Sequence, residues 1–219
     1  MKDEDKTRIL LVDDHPMMRG GMRALLAMED DLLPAAEAGT GAEAVRLAAE
    51  MDLDLILLDM NMPGMDGLET IRQLRAAGVD ARIVIFSVSD DHANVLAALR
   101  AGADGYLLKD MEPEELICQI RLAASGKLAL SPELTQVLAE AIRERPRSGH
   151  GGQPSCLTKR EKDVLRLIAK GHSNKLIARK LDITEGTVKV HVKNLLHKLG
   201  LRSRVEAAVW ALEHEQARA

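Results

Sequence analysis

Leu55-Ile56-Leu57-Leu58-Asp59-Met60-Asn61-Met62-Pro63-Gly64-Met65-Asp66-Gly67 decides how the chain folds. An unbroken apolar run ends on a carboxylate and is followed at once by a turn-forming segment with a proline and two glycines. That pattern predicts a buried parallel strand that carries Asp59 to its C-terminal mouth. Open α/β sheets place their sites at that edge.

Three further runs repeat the design. Arg8–Val12 leads into Asp13 and Asp14, Arg82–Phe86 ends on Ser87, and Gly105–Leu108 ends on Lys109. A lone Asp after a strand is most often a turn residue, but five polar residues each placed at a strand end point to a shared site. Three converging carboxylates repel unless a hard cation sits among them, and an oxygen-only donor set suits Mg²⁺. A hydroxyl and an ammonium beside them make a phosphoryl site: the cations neutralise phosphate oxygens and a carboxylate is the acceptor.

The periodicity alternates strand and helix from residue 8 to about 125. Helical patterns cover Met17–Met28, Ala42–Met51, Leu68–Ala77, His92–Ala101 and Pro113–Ser125. Leu32–Glu37 is the weakest strand, because Pro34 interrupts it. Five βα units predict a flavodoxin-like sheet of order 2-1-3-4-5, which sets Asp13 beside Asp59. Ser131-Pro132-Glu133 opens a further helix with its apolar residues on one stripe. Residues 145–155, rich in Gly, Pro and Ser, read as a flexible tether. The expected domains are residues 1–127, a linker helix and tether over 128–155, and an all-α domain over 156–219.

In that last domain Thr158 and Glu161 have the capping-box form. Ser173 and Thr184 can cap a second and third helix, the third running to about Leu199 and ending at Gly200. A fourth covers roughly Arg204–Glu215. Only Asp182-Ile183-Thr184 joins the second helix to the third, as in a helix-turn-helix. On the third helix Val188, Val192, Leu195, Leu196 and Leu199 share a core face. Lys189, Val190, Lys193, Asn194 and His197 fall largely opposite. A basic helix is often just a solvated face, but an exposed Val190 among cations suits a thymine methyl in a major groove. In the fourth helix Val205, Ala208, Val209 and Leu212 form an apolar stripe with Trp210 near its edge, and packing within the four-helix domain accounts for part of it.

The net charge of −4 hides a split. Residues 1–126 carry 24 acidic and 12 basic side chains and residues 156–204 carry 4 and 13, so only the C-terminal part is suited to an anionic partner such as nucleic acid. No apolar run approaches the roughly 18 residues that span a membrane, and the polar start at Met1-Lys2-Asp3-Glu4 is no signal peptide, so a cytoplasmic protein is expected. Cys118, in an apolar helical pattern, and Cys156, at a domain edge, read as structural or incidental.

Asp13-Asp14, Asp59 with Pro63 and Gly67, Ser87, and Tyr106-x-x-Lys109 resemble the receiver domain of two-component response regulators, although Asp110 stands where many members carry Pro. With Asn174–Arg179, Leu181–Glu185 and Thr187–Lys193, the whole chain resembles the NarL/FixJ family with its LuxR-type helix-turn-helix. The resemblance implies that Asp59 accepts phosphate from a sensor histidine kinase and that Asp13 and Asp14 help hold Mg²⁺. It implies further that Ser87 and Lys109 bind the phosphoryl group, and that Tyr106 is an aromatic switch. It assigns base contacts to Lys189, Val190 and Lys193, phosphate contacts to nearby polar and basic residues such as Arg179 and Lys180, and a place in the DNA-binding surface to Asn194. Dimerisation through Val205, Ala208, Val209 and Leu212 on a two-fold site in double-stranded DNA follows, with RNA polymerase a further candidate partner and nitrate or nitrite the suggested signal. The resulting expectation is a transcription regulator, no enzyme beyond taking part in its own phosphotransfer and dephosphorylation. The rivals are a phosphorylation-independent DNA-binding or interaction module and a Mg²⁺-dependent phosphohydrolase with Asp59 as nucleophile. The phosphohydrolase usually wants a second acid/base carboxylate close behind, where Met60-Asn61 stand.

Overall fold

Apolar runs flanked by amphipathic helices form a single parallel sheet in the first half of the chain. The computed structural model describes residues 6–127, 129–130, 157–172, 174–201, 204, 206–208, 210 and 211. These fall into two units.

The first unit runs β1 (Thr7–Val12), α1 (Pro16–Ala27), β2 (Leu32–Ala38), α2 (Gly41–Glu50), β3 (Leu55–Asp59), α3 (Gly67–Ala76), β4 (Arg82–Ser87), α4 (His92–Ala101), β5 (Gly105–Leu108), α5 (Pro113–Ala124) and β6 (Ala129–Leu130). All pairs are parallel, in the order β2-β1-β3-β4-β5-β6. Every residue of β3 and β4 is buried, because helices cover both faces. On one face Ile9, Leu11, Leu55, Leu57, Val84, Phe86 and Leu107 pack with Met22 and Leu26 of α1 and Leu116, Ile117 and Ile120 of α5. The alternate residues, Leu10, Ile56, Leu58, Ile83 and Ile85, point to the other face and are fully buried there.

Two details go beyond the expected elements. Strand β2 runs straight through Pro34. It lies at the sheet edge, and its register shifts so that Ile9 faces Pro34 while Leu10 faces Ala36, which absorbs the missing amide donor. Strand β6 is a sixth strand after the five expected. It docks because position 105 has no side chain: a Cβ on Gly105 would lie 2.5 Å from the Ala129 carbonyl oxygen.

At the N-terminal edge of β4 a buried charge cluster locks three elements together. Arg75 of α3 donates to Asp104 Oδ2 at 2.6 Å and to the carbonyls of Val79, Ala81 and Gly102. Arg82 lies 3.4 Å from Asp104 Oδ1, and the Ile83 amide donates to Asp104 Oδ2 at 3.0 Å.

The second unit contains α6 (Lys159–Ala169), α7 (Asn174–Leu181) and α8 (Glu185–Leu199), and the described residues from 204 to 211 are helical. The expected capping box is present, Thr158 Oγ1 accepting from the Glu161 amide and Glu161 from the Thr158 amide. Thr184 caps α8 through the Thr187 amide, and Gly200 ends it in the left-handed conformation. The core comprises Leu157, Val164, Leu165, Ile168, Ile177, Ala178, Val188, Val192, Leu195, Leu199, Ala207, Trp210 and Ala211. Trp210, expected at the edge of a stripe, is therefore a core residue. Cys118 corrects its expected setting too: it faces solvent on α5, where Leu116, Ile117, Ile120 and Ala123 take the buried positions. The expected helix from Ser131, the tether, Ser173, Cys156, Val205, Val209 and Leu212 lie outside the described residues. Among the described residues no helix is long and apolar enough to cross a membrane, and no peptide bond is cis, Lys109–Asp110 included.

Candidate functional site: an acidic pocket and a helix-turn-helix

Sheet register brings the first site together. Val12 pairs with Leu58, so Asp13 follows β1 beside the terminal Asp59 of β3. Asp59 pairs with Phe86, which sets Ser87 one residue further along β4. Ser87 pairs with Leu108, and the Lys109 amide donates to the Ser87 carbonyl at 2.8 Å. The chain turns sharply after Asp59. Gly67, at the start of α3, approaches so closely that a Cβ there would lie 2.8 Å from the Asp59 carbonyl oxygen.

Lys109 is the hub. Its Nζ lies 2.7 Å from Asp13 Oδ2 and 2.9 Å from Asp59 Oδ1, with all three side chains buried. Burial pushes the Asp59 carboxyl above its ordinary range, with Asp13 adding to the rise and Lys109 opposing it. Burial alone would lower the Lys109 ammonium, but Asp13 and Asp59 more than offset that and hold it above its usual range. Arg19 fixes the loop by donating to the Asp13 carbonyl at 2.6 Å.

The donor set fits a dication. Asp13, Asp14 and Asp59, with His15, each offer one ligand atom within 4.8 Å of the others. Asp14 Oδ1 is buried without a hydrogen bond among the described residues. His15 Nδ1 stands 2.8 Å from that atom, and the three carboxylates match the preference of Mg²⁺ for carboxylates and water.

Ser87 and Tyr106 are both fully buried. Ser87 Oγ accepts from the Ser89 amide at 3.2 Å, and the Tyr106 hydroxyl donates to the Ser89 carbonyl at 2.8 Å. Burial also raises the Tyr106 phenol above its ordinary value. Ser89 thus joins the strand-end hydroxyl to the aromatic.

In the helical unit the turn between α7 and α8 passes through Asp182 with φ of 54°, a left-handed conformation that Asp tolerates. Along α8 the described side chains divide as the period requires. Val188, Val192, Leu195 and Leu199 are buried, whereas Val190, Lys193, Asn194 and His197 are exposed and Lys189 is half-buried. Val190 keeps 56% of its surface in solvent. Arg179 and Lys180 are exposed on α7.

Residues 9–121 match the family model for the response regulator receiver domain, and residues 155–211 match that for bacterial regulatory proteins of the luxR family. The chain belongs to the LuxR-type response regulators. The chain is 53% identical to the nitrate/nitrite response regulator protein NarL of Escherichia coli K12, with 96% of this chain and 97% of the relative covered. It is 49% identical to the nitrate/nitrite response regulator protein NarP of the same strain over 99% and 100% of the two chains. Among solved structures it is similar to the response regulator ChrA of a heme-sensing two-component system, 34% identical with a TM-score of 0.51, covering 96% and 98% of the chains. A receiver domain implies a histidine kinase partner, and a LuxR-type helix-turn-helix implies DNA.

The structure of this response regulator brings Asp13, Asp14, Asp59, Ser87 and Lys109 to one edge. It places Tyr106 under that edge, joined through Ser89. Of the four residues expected to carry dimerisation, only Ala208 is described, half-buried against the helical core.

Several side chains go beyond the sequence reading. Glu161, buried, accepts twice from Lys198 at 2.8 Å, so the start of α6 grips the end of α8. Lys198 and Thr158 hold its carboxyl below the ordinary range, although burial pulls it up. Arg204, buried, donates to Asn174 and to the His172 carbonyl. Helical periodicity marks Glu161 as a cap but gives no sign of its distant partner.

Proposed function

We propose that this response regulator accepts a phosphoryl group on Asp59 from a sensor histidine kinase and thereby controls its own sequence-specific DNA binding. The supporting observation is Lys109 bridging Asp13 and Asp59 at 2.7 and 2.9 Å in a buried pocket. An oxygen of Asp59 attacks phosphorus; the new P–O bond forms as the P–N bond of the phosphohistidine breaks. Lys109 and Ser87 receive the phosphoryl oxygens, the ammonium by charge and the hydroxyl as a donor. Asp13, Asp14 and Asp59 would hold Mg²⁺, which supplies charge neutralisation for the phosphoryl oxygens when bound.

Ser87 Oγ accepts from the Ser89 amide and keeps its own proton to donate to a phosphoryl oxygen, and the Ser89 carbonyl holds Tyr106. Tyr106 is already inward in this structure, so phosphorylation stabilises the arrangement seen here rather than creating it. On the output side Lys189, Val190 and Lys193 read base edges, while Asn194, Arg179 and Lys180 contact phosphates. The fourth helix, through Val205, Ala208, Val209 and Leu212, pairs two copies on a two-fold site. The similarity to NarL and NarP supports nitrate or nitrite as the signal, and the two domains carry opposite charge, which supports docking before phosphorylation and release after it.

The test is DNA binding by the full chain with and without a small phosphodonor and Mg²⁺. A donor-dependent rise that Asp59→Asn abolishes supports the reading. Equal binding in both states, with Asp59 demonstrably phosphorylated, overturns it.

A further inference from the structure

Helix α6 carries a run of cations that none of the contacts proposed for α7 and α8 uses. Lys159, Lys162, Arg166 and Lys170 recur at helical spacing and are all exposed. At about 100° per residue they fall within an arc of about 80°. The buried residues Glu161, Val164, Leu165 and Ile168 lie on the opposite side of the helix. Arg166 lies 3.4 Å from Asp163, whereas Lys159, Lys162 and Lys170 have no ion pair among the described residues. Arg160, beside the stripe, is engaged elsewhere and donates to the Leu181 carbonyl at 3.3 Å.

Such a stripe works against the helix that bears it. Like charges three or four residues apart repel along a helix face. Lys159 and Lys162 also sit at the start of the helix, where its dipole favours anions. On α2 and α3 exposed arginines are compensated at the same spacing, Arg46 by Glu50 at 3.0 Å and Arg72 by Glu69 at 3.4 Å. On α6 Asp163 alone stands among the cations of the stripe. A solvated face gains nothing from that imbalance, whereas contact with an anionic partner does.

Where the stripe points decides the kind of partner. Helices α6 and α8 pack against each other through one core, with Glu161 held by Lys198 at 2.8 Å. Val190, Lys193 and Asn194 are exposed on the side of α8 away from Val188, Val192, Leu195 and Leu199. The stripe is exposed on the side of α6 away from that same core, so a duplex held by α8 leaves it uncovered. We propose that Lys159, Lys162, Arg166 and Lys170 form a docking surface for an acidic patch on a second protein, engaged while α8 holds DNA. The inference rests on the reading of α8 as the DNA-contacting helix. RNA polymerase, already a candidate partner, serves as the probe.

Purified RNA polymerase holoenzyme is added to the full chain on a labelled duplex selected for binding from a random pool. The variants are Lys162→Glu with Arg166→Glu, and Lys162→Gln with Arg166→Gln. Both positions are exposed, so circular dichroism and urea unfolding are expected to match wild type. Each variant is expected to bind the duplex within about twofold of wild type and with the same salt slope, since its two altered residues face away from DNA. Polymerase association is expected to fall at least about tenfold in the glutamate pair and by less in the glutamine pair, because charge reversal adds repulsion to the lost attraction. A wild-type complex that takes up no polymerase, or a glutamate pair that takes it up equally, overturns the docking surface and leaves the DNA reading standing. A salt slope reduced by about 2 in the variants assigns the stripe to DNA phosphates and overturns the docking surface as well. A wild-type chain that selects no duplex overturns the reading of α8 and the inference with it.

Discussion

The hydroxyl of Tyr106 donates to the carbonyl of Ser89 at 2.8 Å, which ties a fully buried ring on β5 to the loop that follows β4. Removing the hydroxyl leaves the ring and its packing in place. Tyr106→Phe is expected to cost about 1 kcal/mol, the usual net worth of one such bond. Hydrogen exchange at residues 88–91 should quicken, and the donor-dependent rise in DNA binding should shrink. Unchanged exchange there would show that the bond does not hold the loop.

Asp59 is a destabilising charge in the resting protein. Its folded-state pKa is raised above the unfolded value, chiefly by burial. The folded state therefore holds the proton more tightly, and stability falls as pH rises from the unfolded pKa through the folded one. Without added metal, Asp59→Asn is expected to raise the unfolding midpoint at pH 7, and the advantage should narrow as pH drops toward the ordinary carboxylate range. A variant less stable than wild type at pH 7 would contradict this.

Asp104 faces the opposite balance, since it compensates Arg75 and Arg82 in a buried cluster. Asp104→Ala takes the carboxylate from the buried Arg82 guanidinium, while Arg75 keeps its three carbonyl acceptors, and is expected to cost about 3 kcal/mol. Asp104→Asn still offers an acceptor to the Ile83 amide and should cost less. Urea titration followed by circular dichroism reads both.

Glu161 supports the helical domain through its cap and through Lys198. Glu161→Ala loses the bonds to the Thr158 amide and Lys198 and is expected to cost about 1–2 kcal/mol, read by fluorescence of Trp210, the chain's one tryptophan, which is buried in that core. Its carboxyl is held below the ordinary range, so its contribution is complete above the unfolded pKa and is lost as pH falls through the folded one. The variant should therefore flatten the acid side of the stability profile.

The DNA contacts separate by salt. Arg179→Ala, a phosphate contact in the proposed reading, should weaken all sequences alike and reduce the salt slope by about 1. Lys193→Ala should cost about 1–3 kcal/mol on the specific site and relax preference at one position. Fluorescence anisotropy over a salt series distinguishes the two, and identical behaviour would remove the distinction between reading and anchoring residues.

Much of this was legible because parallel strands advertise themselves. Asp59, Asp13, Ser87 and Lys109 each follow an apolar run, and parallel register then leaves them little choice but to meet. Thr158 and Thr184 were equally open, since capping is local chemistry. Partners across the fold were not. Nothing near Glu161 names Lys198, and Ala129–Leu130 is too short to show a period. The burial of Trp210 is hard to read, because its neighbours on the buried face, Ala207 and Ala211, are small and unassertive in any hydropathy pattern. Pro34 weakened a strand that the sheet edge tolerates.

Strand β6 has a consequence for how the chain leaves the receiver domain. Its Leu130 is in register with Tyr106 and its Ala129 with Gly105. The exit is thus stitched to the strand that carries the aromatic, and a single missing methyl group at position 105 is what makes room for it. A Gly105→Ala replacement would evict those two residues and uncouple the exit from the ring while touching no group that handles phosphate, cation or DNA.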